Sequence, residues 1–334
     1  MKAVWFEKKG AARDVLVYGE MADPVPAVGQ VRVRVHVSGM NPSDTKTRGG
    51  FGGNMAMEFP RIVPGQDGAG VIDRVGAGVP ESRIGERVWI YEAYRGRPLG
   101  TAAEYTVVPS HHAVKLPDSM GLGRDAFDTG AGLGVPAMTS HRCLFADGGI
   151  QGQTVLVTGG GGGVGNPAIQ LARWAGARVI ATVSRPEQEA AARAAGAHVI
   201  VNRKRENLVE AVRAATRGQG VDRIVDVDFG QNLEANTAML KTGGVIATYF
   251  SSPIASAQFP FFPLMVNCIT VHYVLVYTMS EQAHRDAIRD TTACLEAGQY
   301  RTHVGARFRL EQTAEAHEAQ DSGNVVGKIL IDIA

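Results

Sequence analysis

Between residues 31 and 37 the chain reads VRVRVHV, with Val31, Val33, Val35 and Val37 on one side and Arg32, Arg34 and His36 on the other. This period of two predicts a strand buried on its valine face. Strand and turn signals continue through residues 65–70, 71–75, 85–91 and 104–108 without a long helical pattern, so the first third reads as a small barrel-like β domain. Near residue 128 the character changes, and apolar runs begin to alternate with helical stretches. Residues 154–158, 178–184, 198–202, 223–227 and 245–250 read as strands; residues 164–175, 187–195, 206–216 and 233–240 read as helices. Strand and helix alternating at this spacing predict a doubly wound parallel sheet. Beyond residue 262 the pattern gives a strand at 269–277, a helix at 281–297 and a final strand at 328–333. The fold class is therefore α/β, with a β domain formed by residues 1–127 and 263–334 and a parallel-sheet domain inserted at 128–262.

The inserted domain carries a motif with chemistry. The run GGGGGVG, residues 159–165, follows the strand TVLVT directly and opens a helix. Gly160, Gly162 and Gly165 satisfy the G-x-G-x-x-G spacing, and Gly161, Gly163 and Val164 complete a loop whose amides would face a dinucleotide pyrophosphate. Glycine suits this place because the turn is tight and the backbone must approach the phosphates closely. A flexible surface turn is the alternative, and the strand before and helix after argue against it. At the end of the second strand an Asp or Glu would bond the ribose diol of NAD. Here stand Ser184 and Arg185, with no acid before Glu187, and the next strand ends in Arg203. A hydroxyl and two guanidinium groups suit a ribose 2′-phosphate, so NADPH is the expected cofactor. Lys204 and Arg205 read as solvated loop charges.

Composition narrows the partners. The 334 residues hold 34 Lys+Arg against 33 Asp+Glu, a net charge of +1, which gives no broad basic field for nucleic acid or an anionic membrane. The start, MKAVWFEKKG, lacks the pattern of a secretory signal, and the apolar stretch at 269–277 is too short to span a bilayer, so a cytoplasmic location is expected. Cys143, Cys268 and Cys294 are too scattered for a disulfide framework. The apolar strand at 269–277 on a sheet edge would leave backbone groups unpaired, and a homodimer is expected to cover them.

Several segments, read together, resemble the zinc-independent quinone oxidoreductases, related to zeta-crystallin, of the medium-chain dehydrogenase/reductase superfamily. These are SGMNPSDTKTRGG (38–50), PGQDGAGVIDRVGAGV (64–79), AEYTVVP (103–109), GVPAMTSHRCL (134–144) and GKILIDI (327–333), in the family's order over nearly the whole chain. The resemblance implies a chaperonin-10-like β barrel and a Rossmann domain, with the active site in the cleft between them. Zinc alcohol dehydrogenases share that architecture, but they place ligands where this chain has Asn41, Gln66 and Val135, so no metal is expected.

Without a Lewis acid the favoured chemistry is hydride transfer to a quinone or an α,β-unsaturated carbonyl. The resemblance gives Asn41, Asp44 and Thr139 orienting roles near the nicotinamide. Lys46 stands where many relatives carry a tyrosine; it either supports a developing enolate or is an exposed barrel lysine. Gly230 is implied near the adenine; Tyr249, Phe250 and Ser251 at the cofactor after the fifth strand; and Val274, Leu275 and Val276 at its carboxamide. Lys328 is implied at the phosphates, with a plain surface lysine as the alternative. A 2-alkenal or enoyl-thioester reductase, or a non-enzymatic NADPH-binding crystallin-like protein, are the alternative functions.

Overall fold

The computed structural model describes residues 1–252 and 259–333. The chain forms two compact units, Met1–Val135 with Arg301–Ala334, and Pro136–Tyr300. In chain order the first contributes β1 (Lys2–Trp5), α1 (Ala12–Val15), β2 (Val17–Glu20), β3 (Gln30–Met40), α2 (Pro42–Gly49), β4 (Asp67–Val75), β5 (Arg87–Ile90), β6 (Tyr105–Pro109), β7 (Ala113–Lys115) and α3 (Arg124–Gly130). The second holds α4 (Met138–Phe145), β8 (Thr154–Val157), α5 (Gly165–Trp174), β9 (Arg178–Val183), α6 (Pro186–Ala194), β10 (Val199–Asn202) and α7 (Leu208–Ala215). It continues with β11 (Val221–Asp226), α8 (Phe229–Met239), β12 (Leu240–Thr248), α9 (Phe261–Val266), β13 (Thr270–Tyr273) and α10 (Glu281–Glu296). The chain then returns to the first unit with β14 (Val304–Arg309), α11 (Thr313–Ser322) and β15 (Lys328–Asp332).

In the first unit β3 is the hub of a sheet ordered β14-β15-β3-β4-β5-β7, and β6 pairs with β3 as well. Val31, Val33 and Val35 are fully buried, as their alternation predicts. Arg32, expected on the polar face, is buried too, because its guanidinium grips both carboxylate oxygens of Asp73 on β4 at 3.0 and 2.7 Å. The antiparallel register Ile329↔Met40 puts Lys328 at the end of β3, where α2 begins. That helix starts by local rules: Asn41 is its N-cap, Pro42 its first residue, and the Asp44 carboxylate accepts the Asn41 N–H at 2.8 Å. Gly50, with φ 82°, ends it in the left-handed region.

The second unit is a parallel sheet ordered β10-β9-β8-β11-β12-β13, with Leu156, Ile180, Ile224 and Ile246 in its core. The domain boundaries differ from the expected ones. Residues 263–300, assigned above to the β domain, belong to the parallel-sheet unit, because β13 pairs with β12 from Val245↔Thr270 to Thr248↔Tyr273 and α10 packs on α4 and α5. The other edge moves from 127 to 135, since α3 packs on β4 and β5. The strand expected at 269–277 stops at Tyr273, and Val276–Thr278 is a 3-10 turn. Among the described residues no helix is long and apolar enough to cross a membrane.

Candidate active site

The glycine loop joins β8 to α5. Its backbone is held from below: the Gly159 N–H donates to Thr182 Oγ1 at 3.1 Å and the Gly160 N–H to Thr182 O at 2.9 Å. A Cβ at Gly165 would sit 2.2 Å from Gly159 O, and one at Gly161 would sit 2.8 Å from Gln188 Cα, so both positions demand glycine. The N–H groups of Gly161, Gly163 and Val164 meet no acceptor among the described residues. Free amides at the mouth of a ten-residue helix suit a phosphate. Ser140 on α4, which the sequence reading passed over, helps fix this loop. Its Oγ lies 2.7 Å from Val164 O and 2.8 Å from Pro136 O.

Ser184, Arg185 and Arg203 come together at neighbouring strand tips. The Arg203 N–H donates to Val183 O at 3.0 Å, which extends the β9–β10 ladder by one residue. Arg185 is half-buried and Arg203 exposed, and neither guanidinium has a protein partner among the described residues. Ser184 is already engaged, because its N–H and hydroxyl both donate to Gln188 Oε1, at 2.9 and 3.0 Å. Gln188 thus packs under Gly161 and caps the second strand's tip at once. Nothing in the sequence pattern marked it, since a glutamine in the first turn of a helix reads as surface.

Gly230 and Ser251 are also brought together, the Gly230 N–H donating to Ser251 Oγ at 3.1 Å, while the Phe229 N–H holds Phe250 O at 3.0 Å. Burial pushes the Tyr249 phenol far above its usual range, which keeps it protonated near neutral pH. Val274 is tied to Thr248 O by its N–H at 2.8 Å; Val274 and Val276 are buried and Leu275 is exposed. Thr139 is buried on α4.

In the first unit Asn41, Asp44 and Lys328 meet in one buried network, joined by Asp67. The Lys328 ammonium donates to Asn41 Oδ1 at 2.7 Å and to Asp67 Oδ2 at 2.9 Å. Asn41 Nδ2 donates to the same Asp67 oxygen at 2.8 Å, and the Val135 N–H takes the other oxygen at 2.9 Å. Lys328 is 4% exposed and Asp67 fully buried, so the lysine is not the plain surface residue that stood as the alternative. Asp44 accepts the Gln66 N–H at 3.2 Å. Burial pushes the Asp44 carboxyl up to about 6. The Asn41 N–H opposes the shift, as do Lys328 and Tyr94, and nearby Asp67 adds to it. Lys46 follows on α2, half-buried, with its ammonium 5.1 Å from the centre of the Phe51 ring.

These residues do not fit a zinc ion. Two of the three positions that hold ligands in zinc relatives carry amides, Asn41 and Gln66, and the third is Val135; the Asn41 oxygen already accepts an ammonium proton. Among the described residues no group of three His, Cys, Asp or Glu side chains is placed to hold a metal.

One unit with a glycine loop at the tip of its first parallel strand and another built on a β sheet define a two-domain nucleotide-dependent oxidoreductase fold. Residues 27–118 match the family model described as alcohol dehydrogenase GroES-like domain, and residues 163–292 match the one described as zinc-binding dehydrogenase. A 2-haloacrylate reductase of Burkholderia sp is 30% identical over 98% of this chain and 98% of its own length. A quinone oxidoreductase of Homo sapiens is 28% identical over 99% of this chain and 97% of its own. The solved structure of an NAD-dependent alcohol dehydrogenase superposes with a TM-score of 0.88 at 27% identity, covering 100% of both chains. The chain belongs to the medium-chain dehydrogenase/reductase superfamily, in its quinone oxidoreductase family.

Proposed function

We propose that this chain is a zinc-independent, NADPH-dependent reductase acting on quinones or related α,β-unsaturated carbonyls. The relatives named quinone oxidoreductase and 2-haloacrylate reductase support this reading. The observation that carries it is the Lys328 ammonium bonded to Asn41 and Asp67, where zinc relatives hold their metal. Bound NADPH would supply a hydride. The chain's part is to hold the pyrophosphate on the free amides of Gly161, Gly163 and Val164, and the 2′-phosphate between Arg185 and Arg203. Gly230, Phe250 and Ser251 form the adjoining wall, and Val274–Val276 offer backbone to the carboxamide. Asn41, Asp44 and Thr139 are proposed as orienting groups. An acceptor whose product charge is delocalised needs fewer built donors than an aldehyde, in keeping with a site holding no Lewis acid.

The test is loss of NADPH absorbance against a panel of quinones, enals and enoyl thioesters, with and without a chelator. Turnover that survives chelation with one of these classes is expected, and zinc-dependent turnover of a simple alcohol would overturn the reading. A protein that binds NADPH tightly and turns over no member of the panel would favour the crystallin-like alternative.

A homodimer and a cytoplasmic location belong to the same proposal. β13 is an edge strand, Tyr273 on it is 70% exposed, and Phe262 and Val266 on neighbouring α9 are equally bare. A second copy would cover this apolar edge. A strictly monomeric species by light scattering at micromolar concentration would refute it.

A further inference from the structure

Burying an ammonium normally costs several kcal/mol unless every proton donor finds a strong acceptor, so a lysine at 4% exposure calls for an account. The protein is shaped for this one. A Cβ at Gly39 would fall 2.9 Å from Lys328 Cε and 1.8 Å from Ala131 O, and a Cβ at Gly134 would fall 2.1 Å from Asp67 Oδ1. Two glycines therefore clear the space in which lysine and aspartate meet. The chemistry of the three groups also fixes the amide. An ammonium only donates and a carboxylate only accepts, so Asn41 must turn Oδ1 to Lys328 and Nδ2 to Asp67. Without the lysine, two buried carboxylates, Asp44 and Asp67, would flank the amide with no cation to balance them.

We propose that Lys328 is a positioning residue for the reductase site: a built-in cation that locks the Asn41 amide in one orientation and offsets the charge of Asp67. It therefore acts in the hydride-transfer step and not in holding cofactor phosphate. The inference rests on the reductase reading for its kinetic arm, and a second arm is independent of turnover.

The experiment compares wild type, Lys328→Met, Lys328→Arg and the double variant Lys328→Met/Asp67→Asn. In the first arm, protein labelled with 15N-asparagine reports the Asn41 side-chain amide, assigned by its loss in Asn41→Asp. A slowly exchanging pair of signals is expected in wild type, shifted and fast-exchanging in Lys328→Met. The second arm measures turnover and cofactor affinity. Lys328→Met should lose about 10- to 100-fold in kcat, as when a group orienting an active-site ligand is removed, with the Kd for NADPH changed less than twofold. Lys328→Arg should recover part of the loss, because the cation returns with a different reach.

The double variant guards against simple misfolding. Removing both charges should restore the melting temperature that the single variant loses while leaving kcat low. Full recovery of kcat in the double variant, or an unchanged kcat in Lys328→Met, would reduce Lys328 to a structural ion pair and overturn the proposal. A tenfold rise in the Kd for NADPH with kcat intact would make it a phosphate ligand and overturn it equally. If wild type turns over no quinone, enal or enoyl thioester, the reductase reading fails on its own, and an unshifted Asn41 amide signal in Lys328→Met would still refute the locking role.

Discussion

Replacing Arg185 and Arg203 by alanine, singly and together, isolates the groups that set cofactor choice. Among the described residues neither guanidinium has a protein partner to lose, so the free protein is left nearly unchanged and the effect reads out in binding. A charge-assisted hydrogen bond contributes about 1.5–3 kcal/mol, and solvent weakens it toward the lower end. Arg185, half-buried at the start of α6, should therefore account for about 10- to 100-fold in NADPH affinity and exposed Arg203 for about tenfold, with NADH affinity nearly unchanged. Gln188 adds a second, opposite effect. Its Oε1 already holds both donors of Ser184, so a 2′-phosphate that reaches for them must break two neutral hydrogen bonds. Gln188→Ala removes that competition and should tighten NADPH by roughly 1–2 kcal/mol, about five- to thirtyfold, again sparing NADH. Dissociation constants for both cofactors by fluorescence titration, at fixed ionic strength, decide the matter. Equal losses of NADH and NADPH in the arginine variants would refute the argument, and so would a wild-type preference for NADH, the cofactor named for the structural neighbour at 27% identity.

Two stability measurements probe the buried titrating groups of the first unit. Asp44 is held at about 6 against a usual 3.8, so its favourable contribution is complete below pH 3.8 and is lost as pH rises through about 6. In urea unfolding, Asp44→Asn should gain on wild type by roughly 2–2.5 kcal/mol between pH 4 and pH 7, and a flat difference would contradict the burial argument. His317 on α11 is fully buried, neither ring nitrogen finds a partner among the described residues, and burial, with Arg48 nearby, pushes it down to about 3. Its neutral form supports the fold above pH 6.5, and that support drains away as pH falls toward 3. His317→Leu should thus gain about 3 kcal/mol on wild type between pH 7 and pH 4, measured the same way; equal acid sensitivity would count against it.

How much of this was legible in the sequence depended on whether the cause was local. The valine alternation of β3 and the glycine loop between β8 and α5 are short-range patterns, and both stand where they were read. The extent of the parallel-sheet unit was not legible past residue 262. The last strand there has four residues, Thr270–Tyr273, and its place is set by pairing with β12, which no local period reveals. The β-unit helices α2 and α11 escaped for different reasons. The first is specified by caps around Asn41 and Gly50 more than by an apolar stripe, and the second packs mainly small residues such as Ala316. The strand ends at which Arg185 and Arg203 stand could be located because a strand end is a local address. Lys328 could not, because its partners Asn41 and Asp67 lie 287 and 261 positions away in the chain. Asp67 stood in view within PGQDGAG and carried no mark of its own.

The position of β15 bears on how the protein is made. The parallel-sheet unit is one continuous stretch, Pro136–Tyr300, and can close while the ribosome is still working. The β unit cannot, because β15 lies between β14 and β3 and follows the whole parallel-sheet unit in the chain. Until then Asp67 and Asn41 wait without their ammonium and β3 keeps an open edge. The ammonium that balances Asp67 thus reaches the β unit only after the whole parallel-sheet unit has been made, and a chain lacking β15 would leave a buried carboxylate uncompensated.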